Sequence, residues 1–166
     1  MRALRLLAIG SLFTVTAFAA SGPPWISIEY PANPHDAASR GAFLMVNAFH
    51  HGTPMAFPVS GTAEGIVNGQ RRTVSLEFKG TTRPGVYALH KQWSDEGVWT
   101  LVLSVTQGKG DGNTATAVVE LASNGTVASV TVPTRRQGQW LIPIGVSIAD
   151  VERGLRARAG RLAASK

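Results

Sequence analysis

The chain has 166 residues, no cysteine, 18 glycines, 9 prolines and a formal charge of +6 at neutral pH. The missing cysteine excludes a disulfide framework, a thiolate metal centre, a cysteine nucleophile and a lipidated cysteine. The charge is local: residues 21–150 hold nine basic and nine acidic groups, so the excess lies near the termini. A body with no basic face and no aromatics interleaved among cations argues against a nucleic-acid partner.

The first twenty residues read as a secretory signal. Arg2 and Arg5 precede an apolar run from Leu6 to Phe18, and Ala17-Phe18-Ala19 is a small-x-small cleavage pattern. That run is shorter than the ~20 residues a membrane-spanning helix needs, and Ser21 and Pro23-Pro24 follow it closely. The reading divides the chain into a signal peptide (1–20), a β domain (21–146) and a basic C-terminal helix or tail (147–166). It places the mature protein in the periplasm or outside the cell, soluble after cleavage.

From Trp25 to Val132 apolar residues alternate with polar ones in short runs bounded by Gly, Pro, Asn and Asp. This pattern predicts strands near Trp25–Tyr30, Ala42–His50, Val59–Val67, Thr73–Phe78, Gly85–Lys91, Val98–Thr106, Thr114–Leu121 and Thr126–Val132. Such spacing implies an all-β antiparallel sandwich of about seven or eight strands. Asn68-Gly69 and Asn124-Gly125 are each expected to form a type I′ hairpin turn. Gly108-Lys109-Gly110-Asp111-Gly112 reads as a plain loop, lacking the Lys-Ser/Thr ending of a phosphate loop. Pro133 to Pro143, with Arg135-Arg136 and Trp140, is either irregular or one more short strand. Ser147, three residues before Asp150, opens a helix with Val151, Leu155 and Leu162 on one side, weakened by Gly154 and Gly160.

Two stretches carry a family likeness. Arg83-Pro84-Gly85-Val86-Tyr87-Ala88-Leu89, followed by Asp95-Glu96-Gly97-Val98-Trp99-Thr100-Leu101-Val102-Leu103, resembles the rhythm of small exported bacterial domains of the YtkA-like kind. The resemblance covers roughly residues 40–106 and implies an immunoglobulin-like sandwich; no catalytic residue comes with it. Asp95-x-Gly97-x-Trp99 also looks like an immunoglobulin turn-to-strand corner, with Trp99 where a tyrosine is customary. Alternation alone puts Tyr87 with Leu89, and Trp99 with Leu101 and Leu103, on core faces. The other reading makes Trp93 or Trp99 the wall of a ligand site.

Candidate chemistry gathers at Met45, His50, His51 and Met55, with His35 and His90 elsewhere. Imidazole and thioether together suit copper. Met45 and His51 are six residues apart on an extended strand, about 20 Å, and cannot share an ion. The feasible set is His50 or His51 with Met55, completed by His90; otherwise His50-His51-Gly52 is a wet strand end and the methionines fill the core. An enzyme finds little support: there is no Gly-x-Ser-x-Gly elbow and no His-Glu-x-x-His motif, and Glu64 and Glu77 on the arms of one hairpin read as solubilising groups. The turn at Asn124-Gly125-Thr126 accounts for its match to a glycosylation sequon. Arg153, Arg156, Arg158 and Arg161 read as a solvated end, with docking on anionic lipid or an acidic partner as the alternative. The function expected first is an exported, non-catalytic binding or structural module for a protein or cell-envelope component. Copper binding comes second, with copper as the sole cofactor considered, and catalysis third.

Overall fold

The computed structural model describes residues 22–109 and 112–164. The signal-peptide reading of residues 1–20 lies outside the described residues, as does the middle of the glycine-rich loop. In chain order the elements are β1 (Trp25–Glu29), β2 (Leu44–His50), β3 (Thr53–Pro54), β4 (Val59–Val67), β5 (Gln70–Ser75), β6 (Lys79–Gly80), β7 (Val86–Leu89), β8 (Val98–Thr106), β9 (Thr114–Leu121), β10 (Val127–Thr131), β11 (Thr134–Gln137), β12 (Trp140–Pro143) and the helix α1 (Ile148–Ala164). One antiparallel sheet runs β1-β2-β7-β6, with β3 also paired to β2; the other runs β10-β9-β8-β4-β5; β11 and β12 form a separate hairpin. In immunoglobulin lettering β1, β2, β7 and β6 occupy A, B, E and D, while β9, β8, β4 and β5 occupy G, F, C and C′. The chain is an all-β sandwich with one C-terminal helix.

Alternation along each strand builds the space between the sheets. Ile26, Leu44, Val46, Ala48 and Leu89 from the first sheet meet Ala63, Trp99, Leu101, Leu103, Val105, Ala117 and Val119 from the second. Ala48, Ala63 and Ala117 share this cluster with large side chains, and the mixture of sizes lets two faces interlock in a core with no disulfide. Gly65 pairs with Trp99 across β4 and β8, and a Cβ there would lie 2.5 Å from the indole Cε3, so only glycine leaves room for the ring. The indole Nε1 donates to the Glu96 carbonyl at 2.8 Å, three residues upstream. A tryptophan thus makes the bond that a tyrosine hydroxyl makes at this corner of immunoglobulin domains.

Three expectations need correction. β5 starts at Gln70 instead of Thr73 and stops at Ser75, because the two-residue turn, with φ of 50° at Asn68 and 74° at Gly69, pairs Val67 directly with Gln70. The second Asn-Gly pair does not form a type I′ turn: only Gly125 has positive φ (81°), and its N–H donates to Ala122 at 2.9 Å. Asn124 uses its side chain instead, accepting from the N–H and hydroxyl of Thr126 at 3.1 and 2.7 Å. Pro133 to Pro143 is neither irregular nor a single strand; it is the β11–β12 hairpin.

The helix lies on the outer face of the second sheet and is not a solvated tail. Ser147 caps it, accepting from the Asp150 N–H at 3.1 Å and donating to the Asp150 carboxylate at 2.7 Å. Val151 and Leu155 are buried against Val98, with Ile66 and Val102 beside them. Arg158 reaches between helix and sheet, donating to the carbonyls of Leu121 (3.0 Å) and Trp99 (3.1 Å) and to the Thr100 hydroxyl. Its Nε faces Glu120 at 3.5 Å as an ion pair. Burial lowers the pKa of this guanidinium while the Glu120 charge raises it, and the net direction is down. Arg158→Ala leaves the carbonyls of Trp99 and Leu121 without that donor. We expect it to cost about 2–3 kcal/mol in urea unfolding, whereas Arg153→Ala, on the exposed face, should cost under about 0.5 kcal/mol.

Candidate functional site

Strand register fixes what gathers at each end of the sandwich. β1 begins with Trp25 opposite Phe49; β2 ends with His50 opposite Thr53; β4 begins with Val59 opposite Val105; β8 ends with Thr106 opposite Thr114. All four lie at the end where variable immunoglobulin domains carry their B–C and F–G binding loops. β10 runs toward the same end, since Val127 pairs with Leu121 and Thr131 with Val118, and it delivers the β11–β12 hairpin there.

A tight turn shapes the first wall. His51 and Gly52 take φ of 48° and 78°, a two-residue turn that pairs His50 with Thr53. Histidine tolerates the left-handed region better than most residues, so the turn holds without asparagine. His50 Nε2 donates to the Gly22 carbonyl at 3.1 Å, and the His50 and His51 ring centroids are 4.2 Å apart. Together the two rings hold the chain just before β1, and a Cβ on Gly22 would come 3.1 Å from the His51 ring. Tyr87 donates its hydroxyl to the Phe57 carbonyl at 2.6 Å, which fixes the crossing from β3 to β4.

Between this wall and the hairpin opens a cleft of about 630 Å³, lined among others by Pro23, Trp25, His51, Gln137, Trp140 and Leu141. Its rims carry tryptophans left 38 % (Trp25) and 67 % (Trp140) exposed, with Leu141 at 55 %. Trp93 and Trp99, the aromatics weighed from sequence as ligand walls, are instead buried in the core, Trp93 edge-on to Phe43 at 5.0 Å. Sequence reasoning missed Trp25 as a site residue because it opens a strand pattern, and Trp140 because its segment showed no period. The available signal was, at Trp140, an aromatic near glycine and proline outside any alternating run and, at Trp25, an aromatic directly after Pro23-Pro24.

The expected metal set comes together only in part. His50 and His51 touch, and Met55, whose N–H donates to Ala48 at 3.0 Å, falls in register on the same face as His50. His90 does not join them: Leu44 pairs with Leu89, so His90 sits at the far end of β2, about 20 Å from His50. There its Nδ1 donates to the Gly41 carbonyl at 2.8 Å. Met45 is fully buried under Ala32 and Ala42 on the outer face of the first sheet, and His35 lies in the loop after β1. Among the described residues no three His, Cys, Asp or Glu side chains converge as a metal cage.

Glu64 and Glu77 do not meet either. β5 ends before Glu77, and Glu64 faces Thr73, accepting from its hydroxyl at 2.7 Å and from Arg71 at 2.6 Å. No family model matches the chain, and neither does any curated protein or solved structure compared with it. Among the described residues no helix is long and apolar enough to cross a membrane.

Burial raises the Glu64 pKa, but hydrogen bonds from Thr62, Thr73 and Arg71 and the Arg71 charge outweigh it, so the net direction is down. A depressed carboxylate contributes stability above its unfolded pKa of about 4.3 and loses it as pH falls through the lower folded value. Glu64→Gln should therefore lower the midpoint of thermal unfolding at pH 7, and the gap to the parent should close as pH drops below about 4. An equal gap at pH 7 and pH 3 would show that the ionised pair contributes nothing.

Proposed function

We propose that the protein is an exported, non-catalytic binding module whose ligand face is the cleft between Trp25, the His51-Gly52 turn and the β11–β12 hairpin. One observation carries the reading: two of the four tryptophans are spent on the core, and the other two stand open and line a single cleft. Exposed tryptophan is rare on surfaces that meet only water, and tryptophan dominates the energetic centres of interfaces. Gln137 and His51 add hydrogen-bonding groups beside the rings, as binding clefts usually do. The commitment of Glu64 to Arg71 and Thr73 supports a non-catalytic role, and residues 1–20 support export. The likeness of residues 40–106 to exported YtkA-like domains agrees with both. The partner class is a protein or other component of the cell envelope.

A second reading, copper held by His50, His51 and Met55, is supported by the ring contact and by the register of Met55. It requires His50 to release the Gly22 carbonyl or to bind through Nδ1. In a copper titration it predicts that His50→Ala abolishes stoichiometric binding and that His90→Ala leaves it unchanged; no uptake at micromolar metal removes it.

The binding-module reading is tested by sedimenting the envelope fraction of cells that express the full chain. The parent should co-sediment, and Trp25→Ala/Trp140→Ala should stay in the supernatant with an unchanged far-UV spectrum. Equal distribution of parent and double variant would overturn the assignment of the ligand face.

A further inference from the structure

The hairpin carries more apolar surface than the cleft uses. Ile144 at its base is 37 % exposed and Ile148 at the start of α1 is 76 % exposed, and neither lines the cleft. With Trp140 and Leu141 they make four large, open apolar side chains within nine residues. An apolar phase reached tip-first would cover Trp140 and Leu141, with the isoleucines nearer the sandwich.

Charge on the hairpin itself is one-sided. No carboxylate occurs between Glu120 and Asp150, while Arg135 pairs with Ile142 and Arg136 with Leu141 on the opposite strand of the same hairpin. Both arginines are exposed. Asp150, the first acid reached, is already held by Ser147 and by Arg153 at 2.8 Å. Trp140 stands nearest the tip of a two-stranded finger, Leu141 is level with Arg136, and Arg135 lies one step behind. Apolar groups lead and cations follow, the order met on passing from acyl chains through headgroups to water. Four residues per strand reach about 13 Å, enough to bury an apolar tip by the 5–10 Å typical of interfacial insertion.

We propose that the β11–β12 hairpin docks the molecule on an anionic lipid bilayer, with Trp140 and Leu141 entering the interface and Arg135 and Arg136 meeting lipid phosphates. This rests on the binding-module reading and names its partner. It differs from docking by the basic helix. Arg153 and Arg156 are paired with Asp150 and Glu152, and Arg158 is pinned to the sheet.

The test is vesicle sedimentation of the purified chain at low and physiological salt. The vesicles are phosphatidylcholine alone or phosphatidylcholine with about one-third phosphatidylglycerol. We expect binding to the anionic vesicles, weakened by salt, with a blue shift of tryptophan emission and quenching by shallowly brominated lipid. Trp140→Ala/Leu141→Ala should weaken it on the order of ten-fold or more. Arg135→Gln/Arg136→Gln should lose about five-fold per arginine together with most of the salt dependence. Arg161→Gln, at the far end of α1, should leave binding within two-fold. Trp140→Phe, which preserves the hairpin, should remove most of the quenching whether or not the alanine variant folds. No binding to anionic vesicles, or binding lost with Arg161 and kept without Trp140, overturns the proposal. If envelope retention depends on Trp25 and Trp140 while pure vesicles are ignored, or a soluble acidic polysaccharide binds in their place, the lipid inference fails and the binding module stands. If envelope retention is indifferent to both tryptophans, the module reading itself falls.

Discussion

The indole of Trp99 is where the corner, the core and the helix meet. Its N–H closes the turn before β8 onto Glu96, its ring lies on the backbone of Gly65 in β4, and its own carbonyl accepts from the Arg158 guanidinium. A chain without cysteine has no covalent tie between its sheets, so the strand that begins at Val98 must be located by packing and hydrogen bonds alone. One residue answering to three neighbours does this with little conformational entropy to lose, since an indole has only two side-chain torsions. The same carbonyl explains why the helix docks where it does. Val151 and Leu155 supply burial that would tolerate sliding along the sheet, whereas Arg158 has donors fixed in a fork and accepts only one position.

Anchoring at that end leaves the opposite end free to carry function. The strands that Trp99 locates run about 30 Å or less to the other end, where the β2–β3 turn lines a cleft with the hairpin. A rigid frame with binding groups at the tips of its strands separates stability from recognition: residues at the far end can change without disturbing the Trp99 corner. The His50–His51 pair belongs to this logic. It fastens the entry into β1 and so helps to fix Trp25, which lines the same cleft as Trp140.

The frame was legible in the sequence because burial on one side of a sheet imposes period two, and all eight runs with that period became strands. The boundaries that moved did so for local reasons. Asn68-Gly69 closed its turn with no spare residue and drew β5 three positions toward it, while Asn124 found a hydrogen bond to Thr126 and left the turn to Gly125 alone. The candidate site was less legible for a physical reason. β11 and β12 pair only with one another, so most of their side chains answer to solvent and show no burial rhythm. Trp140 and Leu141 stand next to each other on one strand and are both exposed, which is the pattern that period-two reasoning discards as irregular. His50, His51 and Met55 drew attention by residue type, and type does not encode distance. The pairing of Leu44 with Leu89 is what sends His90 to the other end of the molecule.

Position, not total charge, decides what the basic residues do. The formal excess of +6 suggests a cationic tail, yet in the fold Arg153 and Arg156 lie beside carboxylates one helical turn away, and Arg158 is spent on backbone carbonyls. Pairs at that spacing neutralise locally and contribute only tenths of a kcal/mol, so they solubilise the helix without projecting a field. Arg135 and Arg136, two charges in a stretch that looks unremarkable by count, have apolar cross-strand partners and no acid nearby in sequence. No carboxylate of the hairpin itself offsets their charge, which sits on the same two strands as the apolar tip. In the proposed docking, hydrophobic contact would supply the depth and cationic charge the choice of surface, and one hairpin would present both.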